Sequence, residues 1–188
     1  MKTKLNLFWF RRDLRLIDNH GLYEALQSEL PVLPIFIFDT NILDKLENKE
    51  DKRVDFIFQA LEKLNEYLEK QGKSIQIFYG KPLEIYENLS QQYEIGNVFC
   101  NEDYEPYAIK RDQEIKDFLA SKNINFYQFK DQVIFQKDEI VKADGKPYTV
   151  YTPYSRQWLL KFNDQNIEIF ASEKKLVNLL NIEKQNIN

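Results

Sequence analysis

The residues best suited to chemistry stand where apolar runs end. Arg11-Arg12-Asp13, with Arg15 two residues on, follows the run at 5–10. Asp39-Thr40-Asn41 follows 32–38, Gly80-Lys81 follows 75–79, and Asn101-Glu102-Asp103 with Glu105 follows 98–100. Guanidiniums, carboxylates and amides at this density can orient a bound molecule by charge and hydrogen bonding. Phosphate-cradling and acyl-transfer motifs are missing. No G-x-G-x-x-G follows the first run, and neither G-x-x-x-x-G-K-[ST] nor G-x-S-x-G occurs. One histidine, His20, and one cysteine, Cys100, exclude a histidine-rich metal site and a disulfide framework within the chain.

Each group also has a purely structural reading. Arg11, Arg12, Asp13 and Arg15 can form ion pairs that lock a strand to the helix after it. Carboxylates Glu102, Asp103 and Glu105 before a helix favour its positive N-terminal end. Cys100 in a strand reads as a small core residue, and His20 in a first helical turn as a surface or capping residue.

The elements that must position these groups follow from periodicity. Residues 5–10, 32–38, 75–79, 98–100 and 126–129 read as buried strands. Pro34 lacks a ladder donor and so disfavours a central place for the second strand. Helices are expected over 19–26, capped by Asp18 or Asn19, over 54–69, from Pro82 to about 93–96, and from Pro106 to about Ser121. The stripe Val54, Ile57, Phe58, Leu61, Leu64, Leu68 marks a core-facing side. Five alternations of strand and helix predict a Rossmann-like α/β fold, a five-stranded parallel sheet with helices on both faces. Ligands of open parallel sheets bind at the carboxyl ends of the strands, where the polar groups gather. After Phe129 the rhythm breaks. Residues 131–147 read as an irregular crossing segment, 151–162 as a short helix and 167–188 as a polar linker or tail, so the division expected is 1–130 and 131–188.

Composition bounds the class. The chain has 188 residues, 43% hydrophobic and 14% aromatic, enough for one domain with a core and an appendage. A net charge of -4 gives no polybasic footprint for nucleic acid. A single cysteine fits a reducing cytoplasm. The apolar run after the N-terminus is too short for a signal peptide, and no span of about 18 apolar residues occurs.

The stretch FWFRRDLRLIDNHGL resembles the opening of the DNA photolyase/cryptochrome family. PIFIFDTNIL, NEDYEPYAIKRD and YTVYTPYSRQW are similar to later family segments in order and spacing, so the resemblance spans nearly all of 5–162. It implies an α/β domain that holds a light-harvesting antenna chromophore. A larger helical domain, absent from this chain, carries FAD, the DNA groove and the dimer-splitting chemistry. The implied parent is a carbon-carbon lyase, a deoxyribodipyrimidine photolyase acting on cyclobutane pyrimidine dimers, and this chain holds no catalytic residue. The implied partners are that FAD-binding domain and, through it, damaged DNA, with no membrane and no metal. A cryptochrome photoreceptor is the alternative within the family. A free-standing nucleotide-binding module of the stress-protein or electron-transfer-flavoprotein kind is the alternative outside it. On the antenna reading, Phe38 and Tyr107 offer stacking surface. Arg11, Asp39, Asn41, Asn101, Glu102, Asp103 and Glu105 offer polar anchors, and Arg53 covers the ligand edge. Folate-type members carry an Asn-Glu pair where this chain has Tyr107-Ala108, while Glu105-Pro106-Tyr107 looks more like the deazaflavin type. A deazaflavin or flavin therefore ranks above reduced folate.

Overall fold

The computed structural model describes residues 2–48 and 50–183. Strands β1 (Lys4–Phe10), β2 (Val32–Asp39), β3 (Gln76–Gly80), β4 (Glu94–Asn101) and β5 (Asn125–Phe129) form one parallel sheet in the order β3-β2-β1-β4-β5. Helices α1 (His20–Leu26), the single turn α2 (Thr40–Leu43), α3 (Lys52–Glu69), α4 (Pro82–Gln92) and α5 (Pro106–Ser121) connect the strands.

Side chains alternate across β1. Leu5, Leu7 and Trp9 pack with Tyr86 and Leu89 of α4 and with Ile115 and Leu119 of α5. Phe8 and Phe10 face the other way, onto Leu22 and Leu26 of α1 and Leu61 and Leu68 of α3. With both faces covered, the strands need no polar side, hence their continuous apolar runs. Each fully buried residue of this size contributes about 1.5–3 kcal/mol. Asn19 starts α1 by accepting the Leu22 amide at 3.1 Å, and Pro82 and Pro106 open α4 and α5.

Three expectations change. Pro34 sits in an interior strand, between β1 and β3. The β2–β3 ladder begins at Ile35↔Gln76, one residue past the proline, so the missing donor falls before that ladder starts. Strand β4 begins at Glu94, four residues earlier than the apolar pattern suggests. Its first half is polar: Asn6 accepts the Asn97 amide at 2.8 Å, and a Cβ on Gly96 would meet Leu30 at 2.6 Å. The third change is the end of the chain. Residues Ser172–Asn178 form a 3-10 helix, with Leu176 and Leu179 buried against the α1/α3 face. The Leu180 amide donates to Val32 O at 2.8 Å. Lys73, buried, donates to Val177 O, Leu179 O and Asn181 Oδ1 at 3.1, 2.5 and 2.5 Å. Polar spacing hid two leucines three residues apart, which suffice to dock the segment. The end of the expected tail, 184–188, lies outside the described residues.

The chain divides into two compact units. The first runs to Asp131 and resumes at Phe170; the second is Gln132–Ile169. His20 joins both ends of the first unit's gap. Its amide donates to Asp131 Oδ1 at 3.2 Å, and its ring stacks on Phe170 with centroids 3.7 Å apart. The Phe170 amide in turn donates to Asp18 Oδ1 at 2.9 Å. Within the second unit, helix α6 (Tyr151–Asn163) presents Trp158 edge-on to Phe135, and Lys161 donates to Glu139 O at 2.8 Å. Among the described residues, no helix is long and apolar enough to cross a membrane.

Candidate functional site

The strand order reverses between β1 and β4, and the charge cluster of the opening sequence fills that point. Arg11 turns inward. Its Nη1 donates to Asp112 Oδ2 at 2.7 Å, and its Nη2 reaches Cys100 Sγ at 3.2 Å and the Asn101 carbonyl. Asp13 accepts the Arg11 amide at 2.7 Å and Asn101 Nδ2 at 2.5 Å. Asn101 Nδ2 also donates to Asn19, and its Oδ1 accepts the Gly21 amide, both at 2.8 Å. A Cβ on Gly21 would stand 2.6 Å from that oxygen, so the close approach requires glycine. Burial pushes the Asp13 carboxyl up, against the pull of the Arg11 amide and Asn101. Arg11 thus makes an ion pair from β1 to Asp112 of α5, while Asp13 ties the loop to β4 and α1 through amide hydrogen bonds.

A cleft of about 520 Å³ opens beside this network. One wall is apolar: Phe36 and Ile37 of β2, Ile42 of α2, and Phe56, Ile57 and Ala60 of α3. The other carries the loop after β1 and the start of α5, with Arg12, Asp103, Glu105, Tyr107, Ala108 and Arg111. Trp9 also lines it, with two guanidiniums near its ring, Arg11 at 5.0 Å and Arg111 at 4.7 Å from the centroid. Arg12 bridges Asp103 at 3.2 Å and Glu105 at 2.5 Å. The Tyr107 hydroxyl donates to Asp39 Oδ2 at 2.5 Å, and burial together with that carboxylate pushes it up to about 12. At the mouth, Phe56 is 73% exposed and Ile42 45% exposed.

The ten residues singled out from sequence do not share one pocket. Arg11, Asp103, Glu105 and Tyr107 line this cleft. Asn41 lines a second one, beyond Tyr107, and Phe38 a third, over β2 and β3 with Phe58 and Tyr79. Asp39 is buried as the cap of α2, accepting the Asn41 amide at 3.0 Å, and Asn101 is consumed by the buried network. Glu102 donates its amide to Phe129 O at 2.8 Å and is not part of the cleft lining. Arg53 is not part of the lining of these three clefts. It grips Asp51 two residues back at 2.6 and 2.9 Å, holding that carboxyl down at about 2, and faces solvent. A carboxylate within its own turn outcompetes a distant one, because fewer rotors are fixed.

Sequence reasoning missed Trp9, Ile42, Phe56, Ala60, Ala108 and Arg111. Phe56 left a signal: it is a large aromatic off the core stripe of α3. Arg111, buried on α5, had none, since its alternation with polar neighbours resembles a solvated face.

Residues 6–173 match the family model for DNA photolyase. The chain belongs to the DNA photolyase family. This sets aside the stress-protein and electron-transfer-flavoprotein kinds of module, which share only the sheet topology. The domain is 33% identical over 152 residues to a deoxyribodipyrimidine photo-lyase of Synechococcus sp. (strain ATCC 27144 / PCC 6301 / SAUG 1402/1), covering 81% of this chain and 31% of that protein. Its fold superposes on the class III photolyase from Agrobacterium tumefaciens with a TM-score of 0.72, at 28% identity, covering 83% of this chain and 32% of the other. It also superposes on the archaeal photolyase from Sulfolobus tokodaii, solved with two FAD molecules and a suggested novel light-harvesting cofactor. There the TM-score is 0.66 at 30% identity, covering 74% and 32%. The chain thus spans about a third of the length of these photolyases.

Cys100 in this photolyase-family domain is fully buried, and burial pushes its thiol up to about 12. It is expected to resist Ellman's reagent at about pH 8 in the folded protein and to react fully in urea. Rapid labelling without denaturant would contradict the closed packing between Arg11 and Tyr86.

Proposed function

We propose that this chain is the antenna-chromophore-binding domain of a deoxyribodipyrimidine photolyase, and that the cleft over Trp9 holds a flavin or deazaflavin ring. The supporting observation is the pairing of an apolar wall, with Phe56 and Ile42 left uncovered at the mouth, with a polar wall of few, well-fixed groups. A planar heteroaromatic needs that combination of stacking surface and orienting anchors, and the volume lies within the usual range for such ligands. Phe56 and Ile42 exclude water from one side of the ring. Arg12, fixed by two carboxylates, offers its remaining donors to ring oxygens, and Asp39 holds Tyr107 in place. When bound, the chromophore supplies light absorption and passes excitation to FAD in a second domain of the same protein, which splits dimers in damaged DNA. Ala108, buried and small at the position where folate-type members carry Glu, supports the ranking of flavin types over folate.

The test is a titration of the protein with FMN, a deazaflavin and a reduced folate, read by quenching of tryptophan emission. At least one of the first two is expected to bind more tightly than the folate. Phe56→Ala should weaken binding about tenfold, the loss of a stacked aromatic face. It should leave the melting temperature nearly unchanged, because the side chain packs on little protein. Failure of all three ligands to bind, in this chain and in a longer parent, overturns the reading.

A further inference from the structure

We infer that Arg111 guards the excited state of the chromophore: its charge, held near both Trp9 and Tyr107, keeps these electron-rich rings from donating an electron to a photoexcited ring in the cleft. The inference rests on the antenna reading and adds to it what preserves the excitation once light has been absorbed.

An excited flavin-type ring is a strong one-electron oxidant, and indole and phenol are the side chains it oxidises most readily. The electron leaves the indole or phenol and reduces the excited ring. When it returns, the excitation is lost as heat and never reaches a second chromophore. A cleft that holds an antenna beside such side chains needs a device that makes the donation unfavourable. Trp9 and Tyr107 both line this cleft, and so does Arg111.

Cations stand at each of the two rings. The Arg111 guanidinium carbon lies 4.7 Å from the Trp9 ring centroid and 5.7 Å from that of Tyr107. Arg11 lies 5.0 Å from Trp9, and Lys45 Nζ lies 5.7 Å from Tyr107. A guanidinium beside an indole is attracted to the electron density of the ring. Removing an electron turns that attraction into repulsion between like charges. Trp9 is 2% exposed, so water screens the repulsion poorly. One carboxylate, Asp112, is shared by the two arginines.

Tyr107 has a route of its own. Its hydroxyl donates to Asp39 Oδ2 at 2.5 Å, so loss of the electron would send the proton to that carboxylate. The Tyr107–Asp39 pair then passes from one negative charge to none. Arg111 and Lys45 stabilise the negative form and therefore oppose this step as well. Arg111 is the cation common to both rings.

The experiment reads the fluorescence lifetime of FMN bound to the whole chain. Arg111→Met removes the charge and keeps most of the bulk. Asp112 retains Arg11 and Gln128 as partners, so no buried carboxylate is stranded. The lifetime is expected to fall about tenfold or more in this variant, the scale on which a nearby charge alters a barrier. Arg111→Lys should preserve most of the native lifetime. Adding Trp9→Phe and Tyr107→Phe to Arg111→Met should also restore it, because the donors are gone. A lifetime unchanged by Arg111→Met, equally short with lysine, or still short without both rings overturns the inference. Should Arg111→Met not fold, Trp9→Phe/Tyr107→Phe in the native background decides. Little change in lifetime supports the guard, and a several-fold lengthening overturns it. If FMN does not bind, the antenna reading fails for that ligand, and the guard is read without one. In a Trp158→Phe background Trp9 is the one tryptophan left. Photogenerated tris(bipyridine)ruthenium(III) then serves as the oxidant, and the tryptophan radical is followed by transient absorption. A several-fold higher yield with Arg111→Met than with Arg111→Lys supports the guard, and equal yields overturn it.

Discussion

Asp112→Ala is expected to cost about 3–5 kcal/mol of folding stability, the scale for stranding a buried charge. Asp112 is the shared acceptor for two buried arginines. Its Oδ2 takes Arg11 Nη1 at 2.7 Å and Gln128 Nε2 at 2.9 Å, while its Oδ1 takes Arg111. Arg11 and Asp112 are only 6% and 5% exposed, so water cannot replace the lost carboxylate. For a domain of this size the midpoint of thermal unfolding should fall on the order of 10 °C. Urea denaturation of the variant beside Arg12→Ala provides the check. Arg12 is half-exposed, and its loss should cost about 1 kcal/mol or less. A similar, small effect of both substitutions would mean that the network at the strand-order reversal is not what holds β1 to α5.

Truncation after Asn166 should have a comparably large effect. It removes Leu176 and Leu179, each buried, and a Leu→Ala change at such a site alone costs about 2–5 kcal/mol. It also removes the three acceptors that hold the Lys73 ammonium. A loss of about 5 kcal/mol or more is a large share of the roughly 5–15 kcal/mol that stabilises a typical domain. Circular dichroism melts of the full and shortened chains measure it. An unchanged midpoint would show that the docked segment contributes nothing to stability.

The sheet was legible because its signal is redundant. Continuous apolar runs, helical stripes and the prolines at 82 and 106 all point to the same alternation, and any one of them could fail without changing the reading. The polar half of β4 was not legible, because Asn6 and Gly96 make it a strand through one hydrogen bond and one close approach, neither of which has a period. The same distinction separates the site residues. The carboxyl edge follows from topology, so Arg11, Asp103, Glu105 and Tyr107 could be placed near a ligand. Which side chains are spent on internal partners depends on distances across the fold. Asn101 and Asp39 look like anchors in sequence, yet they are already satisfied by Asp13, Asn19 and Tyr107. Arg53 is spent on a local partner, the nearby Asp51. Phe56 shows the reverse case, an apolar residue that helical periodicity assigns to no face and that stands uncovered over the cleft.

The clasp at His20 gives the second unit an unusual topological freedom. The chain leaves the first unit at Asp131 and returns at Phe170, and both points are fastened to the same helix start, one by a hydrogen bond and one by a stacked ring. Everything between them is a closed excursion whose ends are fixed independently of its contents. For an excursion with fixed ends, closure entropy depends on length only logarithmically, about 0.6 kcal/mol for each doubling. In closure entropy alone, doubling residues 132–169 would therefore weigh less on the first unit than the loss of one buried leucine. Every residue pair that sets the register of the sheet lies outside this excursion.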